Sequence, residues 1–374
     1  MKKGVLVGVT GFAYYWEKVF IPYARDVEKK MELVGAVSHS DKNFPEAMKR
    51  LGLARDQMFT DLDEALAVTG ADFVMLTVHP LVREKMIDIA LAHNCDIITE
   101  KPLAPDMESC VRIWKKVKAS GRKMMVTMTH RFSQDKQTLE NEVKSGKYGP
   151  LSSLHARLVV ARTKGDYEDT WHHKIRNYYV MGETVHQMDI LRSIAGSNCK
   201  KIYCKSWDPD WAPFHPTSAV ALIAEMENGV VCTYNGTDCS AAHINWWYED
   251  YIRAECRDSV LILDKKQLTA HKAVNIEWDD HLNIHSEETV TRLPMLEQDK
   301  WGNTLLLSQF LDWINGGVAP VTTVDDNMYL MAMVYSAIES IETGREVDVR
   351  EFYGRYVGGE EWNHDQKNKS CCLE

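Results

Sequence analysis

The sequence predicts two structural classes in one chain: an α/β part on a parallel sheet, then an α+β part on a mainly antiparallel sheet. Three observations predict this. Residues 4–128 alternate short, continuously apolar runs with helical stretches, the pattern of strands covered on both faces. Beyond residue 151 the pattern changes to a strand-rich stretch with a hairpin-turn signal. The chain has 374 residues, 45% of them hydrophobic, which is enough for two separate cores.

The first part begins with the run Gly4 to Gly8, which ends in a turn. A helical stretch follows from Tyr15 to Glu28, then a second strand from Met31 to Ser38. Pro45 to Leu51 and Leu62 to Val68 read as helices, and Phe73 to Val78 as the third strand. Helix Val82 to His93, strand Asp96 to Thr99, helix Met107 to Ser120 and strand Met124 to Met128 complete the series. The boundary is therefore placed after residue 128, giving domains 1–128 and 129–374. In the second, Leu151 to Ala161 is a long strand, and His172 to Ile194 is mixed and then helical. A meander follows: Lys201 to Trp207, Ser218 to Glu225, Val230 to Asn235, Tyr251 to Glu255, Val260 to Leu263 and Val274 to Trp278. Glu227-Asn228-Gly229 is its clearest hairpin turn. Leu305 to Asn315 and Met328 to Glu342 are closing helices able to pack back on the first domain, the second ending at the Gly344 cap signal.

Composition narrows the function. The net charge of -10 argues against a nucleic-acid or anionic-membrane partner. Nine scattered cysteines, an odd number, do not form a disulfide framework, and no Cys/His spacing reads as a zinc site, so no metal is expected. The ending Cys371-Cys372-Leu373-Glu374 matches a prenylation signal poorly and reads as a frayed tail. The N-terminus lacks the apolar stretch and cleavage site of a signal peptide, and no apolar run is long enough to span a bilayer, so a cytoplasmic location is expected.

The first turn reads Gly8-Val9-Thr10-Gly11-Phe12-Ala13. A Rossmann dinucleotide turn uses one Gly for the tight bend, a second for close approach of the pyrophosphate and a third, or Ala, for helix packing. Gly8 and Ala13 take the first and third places. Thr10 stands in the second, with Gly11 beside it as the source of freedom. The second strand ends in Ser38-His39-Ser40, without the acid that bonds an adenosine ribose. That tip does not repel a 2′-phosphate, and His39 and Lys42 would accept one, so NAD and NADP both stay open. Thr77 and His79, at the end of the third strand, join Gly8, Thr10, Gly11, Phe12, Ala13, Ser38 and His39 as candidate cofactor contacts.

Thr99-Glu100-Lys101-Pro102 closes the fourth strand at the edge where open parallel sheets hold ligands. By itself it also reads as a solvated Glu-Lys pair before a proline turn. It has company, however: Ala90-Leu91-Ala92-His93-Asn94 before it, then His130-Arg131-Phe132, Lys144-Ser145-Gly146-Lys147-Tyr148-Gly149, His186-Gln187-Met188-Asp189-Ile190-Leu191-Arg192, Ala337-Ile338-Glu339-Ser340 and Gly344-Arg345. In this order the chain resembles the Gfo/Idh/MocA oxidoreductases, the family of glucose-fructose oxidoreductase and inositol dehydrogenase. The resemblance implies an N-terminal Rossmann domain and a C-terminal open sheet domain of glucose-fructose oxidoreductase type, a homo-oligomer, and NAD(P)-dependent chemistry on a sugar, polyol or related alcohol. It implies that Glu100, Lys101 and Pro102 lie at the cofactor and that Lys101 also touches substrate.

The family's second signature, Asp-x-Gly-x-His-x-x-Asp, is met here by Gly182-Glu183-Thr184-Val185-His186-Gln187-Met188-Asp189. His186 and Asp189 match, while the first Asp falls on Gly182, with Glu183 one place along. The resemblance thus implies Lys101 and His186 as the catalytic pair. Imidazole titrates near neutrality and suits a base for the hydroxyl proton, and a Lys101 cation would stabilise the developing alkoxide. A buried helical histidine satisfied by a carbonyl is the competing reading of His186. Candidate substrate contacts are His130, Arg131, Glu183, Asp189 and the run Trp171, His172, Lys174, Tyr178 and Tyr179, whose rings and polar groups suit a pyranose; a loop held by aromatic packing is the alternative. The altered Gly turn and Gly182 keep two other functions open: a glycosidase that retains NAD and oxidises C3 transiently, and a non-catalytic, ligand-sensing dinucleotide-binding protein. A dihydrodiol or biliverdin type reductase fits the fold but suits the aromatic segment less well.

Overall fold

The computed structural model describes residues 1–9, 13–162, 175–212, 217–246, 248–281 and 283–357. Its first six strands are β1 (Lys2–Val7), β2 (Met31–Val37), β3 (Met58–Phe59), β4 (Phe73–Leu76), β5 (Asp96–Glu100) and β6 (Met124–Thr127). Their order across the sheet is β3-β2-β1-β4-β5-β6, and every pairing is parallel. The chain winds outward from β1 in one direction and then returns to continue from β4 in the other. The switch point therefore lies between β1 and β4. The connecting helices are α1 (Phe44–Leu51), α2 (Leu62–Thr69), α3 (Pro80–Ala92) and α4 (Met107–Ser120). Capping residues set their ends: Asp61 caps α2 through Glu64 N, Asp106 caps α4 through Ser109 N, and Gly52, Gly70 and Gly121 close α1, α2 and α4 in the left-handed region. The stretch expected as one helix after β1 contains two π-helical turns, Trp16–Phe20 and Tyr23–Val27.

The second sheet begins after α5 (Gln134–Lys144) with β7 (Leu151–Val159), followed by α6 (Val185–Ala195). Strands β8 (Cys199–Trp207), β9 (Ala219–Met226), β10 (Val231–Thr237), β11 (Tyr251–Cys256), β12 (Val260–Asp264), β13 (Gln267–Trp278) and β14 (Ile284–Arg292) follow. Two differences from the sequence reading stand out here. The strand expected at Val274 to Trp278 starts at Gln267, and β14 was not foreseen. All nine β14 residues are exposed, so no hydrophobic alternation marks it.

The chain closes with α7 (Gly302–Ile314), α8 (Val324–Thr343), the short β15 (Val347–Asp348) and α9 (Val349–Val357). Contacts divide it into Met1–Phe132 with Asp299–Met331, and Ser133–Gln298 with Ala332–Glu374. In the first unit α7 buries Leu306, Leu307, Phe310 and Leu311 among Leu6, Phe73, Met75 and Trp16. Phe73 and Phe310 meet edge to face at 5.6 Å. In the second unit the sheet order is β14-β13-β12-β11-β7-β10-β9-β8-β15, antiparallel throughout except for β7 beside β10. Inward residues of β7 and β11 alternate strictly with less buried ones, and α6 packs against β7. No helix among the described residues is long and apolar enough to cross a membrane.

Candidate functional site

In the first unit, the strand ends are held by side chains that bond to backbone. Gly8 leaves β1 at φ +98°, and its amide donates to Val37 O (2.9 Å). A Cβ at Gly8 would stand 2.8 Å from Thr77 Oγ1 and 3.1 Å from the Thr77 backbone. Only glycine fits both the dihedral and the space. Thr77 Oγ1 in turn donates to Val7 O (2.8 Å), tying the ends of β1 and β4 at the switch point. Beside them Ser38 is 2% exposed, and its hydroxyl has no partner among the described residues. A polar cradle at this strand edge suits a dinucleotide: Gly8 makes the tight bend, and the Ser38 hydroxyl awaits a hydrogen bond. Ala13 is fully buried, as close packing of the turn requires, whereas His39 is exposed. Thr10, Gly11 and Phe12 lie outside the described residues.

The Glu100-Lys101-Pro102 run is built in the same way. Trp16 Nε1 donates to Glu100 Oε1 (2.7 Å), fixing the carboxylate at the tip of β5. The Lys101-Pro102 peptide bond is cis, Pro102 is buried and Lys101 is half-buried. Beneath the turn runs Arg83 of α3, 1% exposed. Its Nη1 donates to Pro102 O and to Leu103 O (3.3 Å), and its Nη2 to Val78 O (2.7 Å). One buried guanidinium thus joins the loops after β4 and β5. Sequence reasoning missed it because a single arginine on a helix of mixed polarity carries no periodic signal. His79 caps α3: its Nδ1 accepts from Leu81 N (3.1 Å), and burial, then the nearby Arg83 charge, hold its pKa below the usual histidine value. After β6, the 3-10 turn Thr129–Phe132 carries His130, 2% exposed, and Arg131, whose guanidinium lies 5.5 Å from the Phe132 ring.

In the second unit a π-helical segment, Tyr179–Thr184, runs directly into α6, which opens with Val185 and His186. π-Helical turns are rare and recur at functional positions. His186 is 4% exposed and Asp189 1%. Asp189 Oδ1 lies 3.7 Å from Arg192 Nη1, so the acid that follows His186 is paired along the helix. Gly182 is explained by its neighbour: a Cβ there would stand 2.3 Å from the Tyr178 ring. The ring of Tyr178 takes the space in which a side chain at 182 would sit. Tyr179, read from the sequence as a stacking platform, is only 3% exposed and offers no open face. Trp171, His172 and Lys174 lie outside the described residues, as do Trp247 and the tail cysteines 371 and 372.

Around this segment lies a set of buried charges. Arg162 Nη1 is 2.7 Å from Glu183 Oε1 and 2.8 Å from Asp238 Oδ2. Burial, and then the Glu183 charge, push the Asp238 carboxyl well above the usual range, with Arg162 opposing. Next to His186, Gln187 Nε2 donates to Asp250 Oδ1 (2.9 Å). Lys136 Nζ, 1% exposed, bridges Asp250 Oδ2 (2.9 Å), Asp135 Oδ2 (2.9 Å) and Tyr248 O (2.8 Å). Burial works against the Lys136 charge, yet Asp250 and Asp135 keep its pKa raised. Among the described residues no three His, Cys, Asp or Glu side chains are grouped to hold a metal ion, and the seven described cysteines are free thiols.

Comparison with known proteins agrees with this architecture. Residues 3–128 match the model of the Gfo/Idh/MocA oxidoreductase family, described as having an NAD-binding Rossmann fold. The chain is 33% identical over 358 residues to the uncharacterized protein y4oX of Sinorhizobium fredii, covering 94% of this chain and 97% of that one. It is 27% identical to inositol 2-dehydrogenase of Corynebacterium glutamicum over 201 residues, 50% of this chain and 55% of that enzyme. In fold it resembles aldose-aldose oxidoreductase from Caulobacter crescentus, complexed with glycerol. The TM-score is 0.77 at 15% identity, over 93% of this chain and all of that one (100%). The chain belongs to the Gfo/Idh/MocA oxidoreductases and carries their NAD-binding Rossmann domain.

Proposed function

We propose that this protein oxidises, or in reverse forms, a secondary alcohol of a cyclic polyol, sugar or glycoside, with NAD or NADP as the redox partner. The observation that carries this reading is the placement of Lys101 at the tip of β5, on the ligand-binding edge of a sheet whose switch point is shaped by Gly8 and Thr77. The match to an inositol dehydrogenase supports the substrate class.

A bound nicotinamide supplies the hydride acceptor. Gly8, Ser38 and the Glu100-Lys101-Pro102 tip would hold that cofactor. His186 takes the hydroxyl proton onto its imidazole, and Lys101 stabilises the negative charge that develops on the oxygen. His130, Arg131, Tyr178 and the run 171–174 are assigned to substrate hydroxyls. We infer that a homo-oligomer is the working form. Tyr203, Ile223 and Val231 are exposed on β8, β9 and β10, and Tyr203 is the registered partner of Ile223. Light scattering on the purified chain reads that state.

The test is a panel of polyols, aldoses and glycosides followed at the nicotinamide absorbance. Reduced cofactor should accumulate with one class and not with K101A or H186A. Glycoside consumed without reduced cofactor would instead identify a redox-assisted cleavage. A bound dinucleotide that exchanges hydride with nothing on the panel would leave only a sensing role.

A further inference from the structure

Two carboxyl groups, Glu183 and Asp238, reach the same nitrogen of one guanidinium, Arg162 Nη1. Asp238 has no exposed side-chain surface, Glu183 has 13% and Arg162 14%. Among the described residues a single guanidinium reaches both carboxyls at this burial, so the cluster favours one retained proton. The backbone builds this contact: Asp238 directly follows β10 and Arg162 follows β7, two parallel neighbours. Their extension pairs Arg162 N with Asp238 O (3.0 Å), while Asp238 N donates to Ser218 O (2.9 Å). Glu183 sits in the π-helical segment that runs directly into α6, three residues before His186.

We propose that Asp238 and Arg162 are positioning residues for Glu183: Asp238 as a neutral acid donates to the Glu183 carboxylate, Arg162 pairs with that carboxylate, and Glu183 stabilises the imidazolium of His186. This rests on the reading of His186 as the base. The proton balance is simple. The alcohol proton moves to His186, and the Asp238 proton stays in place. The described ionisable groups facing Asp238 are Glu183 and Tyr179 from the helical segment, Arg162 from the end of β7, and Tyr234 from β10, beyond which lies Asp250.

A double-mutant cycle on the whole protein tests the positioning role, with folding checked by circular dichroism. E183Q should lower kcat on the order of tenfold or more, and D238L should do the same with KM little changed. The E183Q/D238L double variant should be no slower than E183Q, because Asp238 acts only through Glu183. D238N, whose amide still donates, should recover most of the D238L loss. Additive losses, or D238N as slow as D238L, overturn the proposal.

Unfolding against pH tests the shared proton without any substrate. A carboxyl whose pKa is raised by folding binds its proton more tightly when native. Stability should therefore fall as pH rises from about 4 through the folded pKa, and then level off. D238N should flatten that fall. Superimposable curves for wild type and D238N sink the carboxyl pair whatever the activity. A flattened curve in a protein that turns over no substrate retains the pair and removes the dehydrogenase reading instead.

Discussion

The strand ends of the first unit and the helix start of the second are organised by opposite means. At the strand ends, polar side chains are used up on peptide carbonyls: Thr77 on Val7, and Arg83 on Val78, Pro102 and Leu103. Glu100, held by Trp16, His79, which accepts from Leu81 N, and Ser38, whose hydroxyl has no partner among the described residues, depart from this. Around His186, charged side chains bond one another instead, Arg162 with Glu183 and Asp238, and Lys136 with Asp135 and Asp250. Carbonyls do not titrate, so the first arrangement fixes loop geometry at any pH. Buried carboxylates do titrate, so the second sets a local field that changes with protonation. The first region suits placing a large cofactor, the second suits managing a proton.

Activity separates the two most strongly. K101M and H186A should each lower kcat by roughly 10²–10⁴-fold, read as nicotinamide absorbance. The comparison adds a finer expectation. K101M should scale the pH profile down with its shape kept, whereas H186A should remove the limb set by the base. A K101M profile that changes shape would make Lys101, not His186, the titrating group.

Stability comes next. R83M keeps the bulk of Arg83 but leaves the carbonyls of Val78, Pro102 and Leu103 without that donor, at about 1–3 kcal/mol for each that stays buried and unsatisfied. Because the acceptors are neutral, the loss in denaturant titrations should be the same at every pH above the range in which His79 titrates. A pH-dependent loss would show that Arg83 acts mainly as a charge. In the second unit, G182D brings a carboxylate to a position covered by the Tyr178 ring. It should cost about 1–3 kcal/mol from overpacking, and Y178A in the same chain should relieve part of that. Unchanged melting of G182D alone would show that the ring swings away at no cost.

These positions also show what the sequence could reveal. The parallel sheet was readable because buried strands are continuous apolar runs, and the turn after β1 because only Gly8 tolerates its dihedral. Lys101 and His186 stand out through the motifs around them rather than through their own chemistry. Arg83, Arg162 and Asp238 were not found. Arg83 is one arginine bonded to carbonyls of two separate loops, and Arg162 and Asp238 are single charges 76 positions apart. Such pairing is created by strand order, which a linear pattern does not encode. The π-helical segment escaped for a related reason. Its extra residue shifts the helical face at Tyr179–Thr184, so buried positions there do not repeat at 3.6 residues. This is also why Tyr179 reads as a surface ring in sequence but lies in the interior.

The smallest expected effect lies at His79, where the first unit does contain a titrating group. Its Nδ1 must be unprotonated to accept from Leu81 N and cap α3. Burial, followed by the Arg83 charge, lowers its pKa in the folded protein. The native state therefore binds fewer protons than the unfolded chain between the folded pKa and the free value of about 6.5. Stability should rise with pH across that window and be lost on acidification, the reverse of the sign expected from Asp238. The ring is only partly buried, so solvent weakens the effect. H79N retains a capping side chain without the titration and should flatten the slope in urea titrations on either side of that window. An equal slope in H79N would assign the acid sensitivity to other groups, and the strand ends would then be insensitive to pH throughout.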